Sequence, residues 1–253
     1  MLNAGFRDRA IYLRDADALV VADLHVGRAE ASDVAYPLGE AGDLAERLSA
    51  LLAHFDPAEV VFAGDVLHRF DRVSLAAADS LAALVDACRD AGARPILVRG
   101  NHDTALADAW DGPIHDAYEL DRWGGGEDGD APAVVRHGHA APPAAETAGL
   151  YLVGHDHPTI AIEGQRHPCH LYAQDAYRGA DVLMLPAFSR LAAGVEVNGM
   201  TARDFQSPFV TDANALRPIL ARGDGAPGDA DGDDSRDDSP LEFPPLGEFR
   251  RLL

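Results

Sequence analysis

Five apolar runs in this 253-residue sequence each stop at residues carrying oxygen or imidazole donors, and that repetition narrows the folds open to the chain. Leu19-Val20-Val21-Ala22 runs into Asp23-Leu24-His25, Val60-Val61-Phe62-Ala63 into Gly64-Asp65, and Leu97-Val98 into Arg99-Gly100-Asn101-His102-Asp103. Val134-Val135 runs into Arg136-His137-Gly138-His139, and Tyr151-Leu152-Val153 into Gly154-His155-Asp156-His157. Short apolar runs bounded by turn residues read as buried strands. Between the first three runs lie two stretches with apolar residues at helical spacing. Leu38 to Phe55 carries Leu44, Leu48, Leu51 and Leu52; Val73 to Ala91 carries Leu75, Ala78, Leu81, Ala82, Leu84, Val85 and Cys88, with Gly92 closing it. Strand, helix, strand, helix, strand is the signature of a parallel sheet, whose strand C-termini share one edge. The donors therefore converge. Gly100 is read here as the residue that frees φ for a sharp turn.

The rest of the chain organises around that unit. Ala10 to Leu13 and Leu19 to Ala22 read as a hairpin leading into the first donor pair. Asp23 and His25 are two residues apart, so in a strand they share a face. Beyond residue 110 the helical pattern fades, and Val134-Val135, Leu150 to Val153, Pro158 to Ile162, His167 to Tyr172 and Val182 to Leu185 read as strands of a second, more antiparallel sheet. Arg122 to Pro132 reads as a Gly- and Asp-rich hairpin tip, and Asp204 to Leu220 carries no clear pattern. His167-Pro168-Cys169-His170 is read as strand rather than as a zinc site, since Pro interrupts it and no fourth ligand is in sight. Residues 222–240 hold too little apolar surface to offset ordering entropy and are expected to be an acidic disordered loop. Residues 241–253 turn apolar again and are expected to dock on the domain formed by residues 1–221.

Charge limits the partners. Against 42 acidic residues stand 21 basic ones, every one of them Arg, for a formal net charge of -21. The composition resembles that of halophilic proteins, whose self-repulsion is screened when molar salt cuts the Debye length to about 3 Å. It argues against a broad basic track for nucleic acid. No apolar stretch approaches the roughly 18 residues needed to span a bilayer. Met1 to Arg7 lacks the basic-then-apolar pattern of a signal peptide, and the two cysteines, Cys88 and Cys169, read as free thiols. The expectation is a cytoplasmic protein without membrane contact.

The order Asp-x-His, Gly-Asp, Gly-Asn-His-Asp, His-Gly-His, Gly-His-x-His resembles the calcineurin-type metallophosphoesterases from about residue 18 to residue 200. Asp23 to Ala29, Gly64-Asp65-Val66-Leu67-His68, Gly154-His155-Asp156-His157-Pro158 and Leu185-Pro186-Ala187-Phe188 resemble the archaeal and bacterial branch that includes the ligase-associated DNA-damage-response endonucleases. The resemblance implies an α/β (α+β) fold, a four-layer αββα sandwich of two mixed sheets flanked by helices. It implies two divalent cations about 3.5 to 4 Å apart that share a hydroxide. One ion would take Asp23, His25 and His157, the other Asn101, His137 and His155, with Asp65 bridging and His139 a rival for His137. The oxygen and imidazole donors suit manganese, with iron, zinc and nickel as alternatives. His102, oriented by Asp103, would protonate the leaving alkoxide. Arg28, Arg69, Arg99 and Arg136 could hold phosphate oxygens or be solvated surface residues. The substrate stays open between a phosphodiester, including nucleic acid in a repair nuclease, and a monoester on nucleotides or phosphoproteins. A catalytically silent metal-binding scaffold is the third reading.

Overall fold

The computed structural model describes residues 2–31, 39–121, 123, 131–221 and 239–251. The acidic stretch Gly223 to Asp238 and most of the Gly-rich stretch near residue 125 lie outside the described residues. Strands β1 (Ala4–Arg7), β2 (Ala10–Leu13), β3 (Ala18–Val21), β4 (Glu59–Ala63), β5 (Arg94–Val98) and β6 (Ile114–His115) form one sheet in that order. β1, β2 and β3 pair antiparallel, and β3 to β6 are parallel. The short α1 (Arg28–Ala31) and the long α2 (Glu40–Phe55) connect β3 to β4, and α3 (Leu75–Asp90) connects β4 to β5. The expected βαβαβ unit is therefore present, and β3, β4 and β5 end on one edge.

The second sheet takes β7 (Tyr118–Leu120), β8 (Ala133–Val135), β9 (Leu150–Val153), β12 (His170–Tyr177), β13 (Ala180–Met184), β15 (Arg217–Leu220) and β16 (Leu241–Glu242). Its order is β16-β15-β12-β13-β9-β8-β7, with β13, β9 and β8 parallel and the outer pairs antiparallel. β10 (Pro158–Ile162), β11 (Gln165–Pro168) and β14 (Val195–Glu196) make a small third sheet.

Side-chain alternation along the parallel strands builds the layers. Leu19, Val21, Val60, Phe62 and Leu97 face Leu44, Leu48 and Leu51 of α2 and Leu81, Leu84 and Cys88 of α3. Val20, Val61 and Val98 face Val135, Leu152, Leu183 and Leu185 of the second sheet. Burial on both faces explains why these strands are continuous apolar runs in the sequence. On the outer face of the second sheet, Tyr151, Val153, Leu171 and Met184 meet Phe205, Phe209 and Leu216 of an irregular segment and Leu246 and Phe249 of the one-turn helix α4 (Leu246–Phe249). That layer is built from chain with no helical period in its sequence. No helix among the described residues is long and apolar enough to cross a membrane.

Three details of the sequence reading change. Pro158 to Ile162 and His167 to Tyr172, expected as strands of the second sheet, do not both belong to it: β10 lies in the small third sheet, and the run from His167 is divided at Cys169 between β11 of that sheet and β12 of the second. Leu75, expected on the packed face of α3, is 86% exposed, because Ser74 accepts a hydrogen bond from the Ala77 amide as N-cap and turns the first helical residue outward. Gly100 does not adopt a positive φ. Its missing side chain is what matters, since a Cβ there would collide with the backbone nitrogen and carboxylate of Asp65.

Candidate metal centre

The loops that follow β3 and β4 are laced together by backbone hydrogen bonds. The amides of Asp23, His25 and Val26 donate to the carbonyls of Gly64, Asp65 and Val66 at 3.1, 2.9 and 2.8 Å. Asp23, His25, Asp65, His155 and His157 all have positive φ, between 48° and 77°, a left-handed conformation that costs a non-glycine residue of order 1–3 kcal/mol. Such strain persists where surrounding structure imposes it, and here it turns successive donors toward one point. The motif glycines make room for them. A Cβ on Gly64 would lie 2.5 Å from the His137 side chain, and one on Gly154 would lie 2.5 Å from Asp23 Oδ2.

The donors converge as follows. Asp23, His25 and His157 form one group and Asp23, Asp65 and His137 another, each with ligand atoms within 4.8 Å of one another. His157 Nε2 lies 3.2 Å from Asp23 Oδ1 and 3.4 Å from His25 Nε2. His137 Nε2 lies 2.9 Å from Asn101 Oδ1 and 3.3 Å from Asp65 Oδ1. The His155 amide donates to Asp23 Oδ2 at 2.9 Å, and the His155 ring stands 5.0 Å from that of His137. His139 is exposed with its ring 5.3 Å from His137, so His137 is the imidazole buried against Asp65 and Asn101.

Electrostatics follow from burial. Burial and the nearby Asp23 charge push Asp65 up to about 8. Burial raises Asp23 too, but His157, His137 and His25 outweigh it and hold the carboxyl at about 2. Burial lowers His25 to about 3 and His137 to about 4, and depresses His155 as well. Burial opposes the charged form of His157, yet Asp23 raises it. Asp23 Oδ1 and His25 Nδ1 are buried and make no hydrogen bond among the described residues. Two buried carboxylates with depressed imidazoles and unsatisfied donor atoms fit divalent cations, which supply the charge and the coordination these groups lack.

One sequence assignment is corrected. The Asp103 carboxylate does not reach the His102 ring; it accepts the amides of Val66, Leu67 and Gly100 at 3.2, 2.9 and 2.8 Å. It ties the loop after β4 to the loop after β5. His102 is oriented by other groups: its Nδ1 faces the His68 carbonyl at 2.9 Å, and Phe70 stacks on the ring with centroids 3.9 Å apart. With Nδ1–H donated to that carbonyl, Nε2 faces Asp65 Oδ2 at 3.7 Å. His25, His68 and His102 form a third group of possible ligands. The sequence reading also passed over Asp156, a buried carboxylate that accepts the amides of Gln206 and Ser207 at 2.8 and 3.0 Å and anchors the turn carrying His155 and His157. Its position between two donor histidines was the available signal. Of the four arginines, Arg136 is paired with Glu146, Arg99 with Asp116 and Arg69 with Asp71, while the charge of Arg28 acts on His25, His68 and His157.

Comparison with known proteins gives four findings. Residues 17–159 match the calcineurin-like phosphoesterase family. The structure is similar to the crystal structure of Pseudomonas putida nuclease MPE, at 29% identity and a TM-score of 0.53, covering 84% of this chain and 88% of that one. It is also similar to Yfce, a phosphoesterase from E. coli, at 18% identity and a TM-score of 0.42, covering 73% of this chain and 84% of that one. No curated protein matches the sequence significantly. The family match takes in every converging side chain from Asp23 to His157, and these are the residues the strained loops turn toward one another. This chain belongs to the calcineurin-like phosphoesterase family and is a metal-dependent hydrolase of phosphoric esters.

Proposed function

We propose that the chain hydrolyses phosphodiester bonds of nucleic acid at a dinuclear centre, most readily with manganese. The observation that carries this reading is the pair of buried carboxylates, Asp23 and Asp65, beside His25 and His137, whose imidazoles burial keeps neutral. Asp23, His25 and His157 would hold one cation, Asn101, His137 and His155 the other, and Asp65 both. Bound there, the pair of cations supplies positive charge for the phosphoryl oxygens and lowers the pKa of water. His102 moves the proton: as an imidazolium it keeps Nδ1–H on the His68 carbonyl, gives its Nε2 proton to the leaving oxygen and is left as the neutral Nδ1–H tautomer. Phe70 and the His68 backbone fix that ring, and Asp103 fixes the backbone that carries it. The 29% identity to a nuclease over most of both chains supports nucleic acid as the substrate. A cytoplasmic setting belongs to the same proposal, in keeping with two buried cysteines that form no disulfide.

The test is metal content by elemental analysis together with rates on bis-p-nitrophenyl phosphate, p-nitrophenyl phosphate and DNA, after stripping and reloading with manganese, iron, zinc or nickel. Two ions per chain and faster diester than monoester hydrolysis are expected. A preference for the monoester would favour a phosphatase, and bound metal without turnover a scaffold.

A further inference from the structure

A pocket of about 150 Å³ has His157 of the metal centre in its wall. Arg9, Arg166 and Arg190 line it, and no Asp or Glu does among the described residues. In a chain of net charge -21 such a lining runs against the field of the whole molecule. Arg9 is held in the wall by Nη1, which donates to the carbonyls of Ala187 and Ser189 at 3.1 and 3.0 Å. Arg166 pairs with Glu196 at 3.2 Å, and Arg190 with Asp43 at 2.8 Å and Asp8 at 3.8 Å; both arginines are more than half exposed. Pairs of that kind are weak and can be shared with a further anion.

A second, independent observation points to a ligand. Thr159 lines the pocket, is 5% exposed, and its Oγ1 is buried with no hydrogen-bond partner among the described residues. A buried hydroxyl without a partner is costly, and an acceptor supplied by a ligand would relieve that cost. Gly194 packs directly on this wall: a Cβ there would come within 2.8 Å of the His157 carbonyl and closer still to the Thr159 methyl. The volume is below the roughly 300 Å³ at which pockets begin to hold drug-sized molecules, which suits a single tetrahedral oxyanion.

We propose that this pocket binds a phosphate of the nucleic-acid strand adjacent to the phosphate being cleaved. The substrate would then be gripped at two phosphates, one at the metals and one at Arg9, Arg166, Arg190 and Thr159. The proposal rests on the phosphodiesterase reading above. It also explains how so acidic a chain handles a polyanion without a broad basic surface.

The manganese-loaded protein is assayed on thymidylyl-thymidine with and without a terminal phosphate on either end, and on bis-p-nitrophenyl phosphate. The same dinucleotides with a hydrolysis-resistant phosphorothioate link are titrated by calorimetry. Expected is a kcat/KM and affinity advantage of roughly ten- to a hundredfold for one of the two phosphorylated forms, the range of one or two charge-assisted hydrogen bonds. In Arg166→Ala, Arg190→Ala and the isosteric Thr159→Val that advantage should shrink toward 1. No advantage in the parent protein, or one that survives all three variants, overturns the proposal. If no diester is cleaved, the phosphodiesterase reading fails by itself, and the calorimetric comparison still decides the pocket.

Discussion

Asn101 and His102 are neighbours in the sequence but face different groups, so their loss should have different consequences. Asn101 Oδ1 lies against His137, and Asn101→Ala should weaken one metal site and recover partly with excess manganese. His102→Ala should keep both metals and lose roughly 10²- to 10⁴-fold in turnover on a poor leaving group, with a smaller loss on p-nitrophenolate. Elemental analysis beside rates on the two leaving groups checks this, and an emptied site in His102→Ala would make that imidazole a ligand instead. Asp65 sets a pH dependence in the metal-free protein. Its folded value of about 8 lies above its ordinary 3.8, so the folded state keeps a proton that the unfolded state releases, and stability falls as pH rises toward 8. The depressed imidazoles of His25 and His137 act in the opposite direction, but only below about 6.5, and the raised His157 acts in the same direction as Asp65. Between pH 6.5 and 8 the metal-free protein should therefore lose about 1–2 kcal/mol, measured as a falling Tm. Metal loading should flatten that slope, because a cation takes the place of the proton.

At the scale of elements, the site depends on loops locked to one another rather than on single strands. Asp103 receives three amides from the loops after β4 and β5. Asp103→Asn leaves one carbonyl oxygen for those donors and turns an NH2 group toward them, so a loss of about 2–4 kcal/mol is expected, together with weaker metal binding. Thermal unfolding and metal titration check it; an unchanged Tm would show that the clamp is dispensable. The outer layer gives a contrasting case. Phe249 is buried against the second sheet far along the chain from the donor motifs, and Phe249→Ala should cost about 3–5 kcal/mol. Activity per folded molecule should be kept. The central parallel strands and both long helices were legible from periodicity, because a buried parallel strand and an amphipathic helix each write a regular pattern, whereas the short strands Ala4–Arg7, Ile114–His115 and Tyr118–Leu120 went unread. The segment from Phe205 to Leu216 was not, since it is held by contacts with the sheet and by Asp156 rather than by any local repeat.

For the whole molecule the governing quantity is the charge of -21. If the carboxylate surface is an adaptation to salt, Tm should climb as potassium chloride rises from low to molar concentration, because screening relieves repulsion over a Debye length that falls to about 3 Å. A Tm independent of salt would reject the adaptation. The same screening should weaken any phosphate grip at the surface more than binding at the buried carboxylates.

The sequence by itself determined which residue types stand at the ends of which strands, because a donor placed directly after an apolar run has only one edge of a parallel sheet to occupy. It also determined the order of those motifs, and hence the family. Only the tertiary structure decided the partners. Asp103 is next to His102 in the chain, yet three amides from two loops claim its carboxylate first, so a carbonyl rather than a carboxylate orients the imidazole. His137 and His139 look equivalent in sequence, and burial against Asp65 and Asn101 separates them. Gly100 reads as a turn former, and the close approach of Asp65 makes it a space former. In each case the deciding contact joins positions at least 34 residues apart or depends on which face a loop turns inward, and no local pattern carries that information.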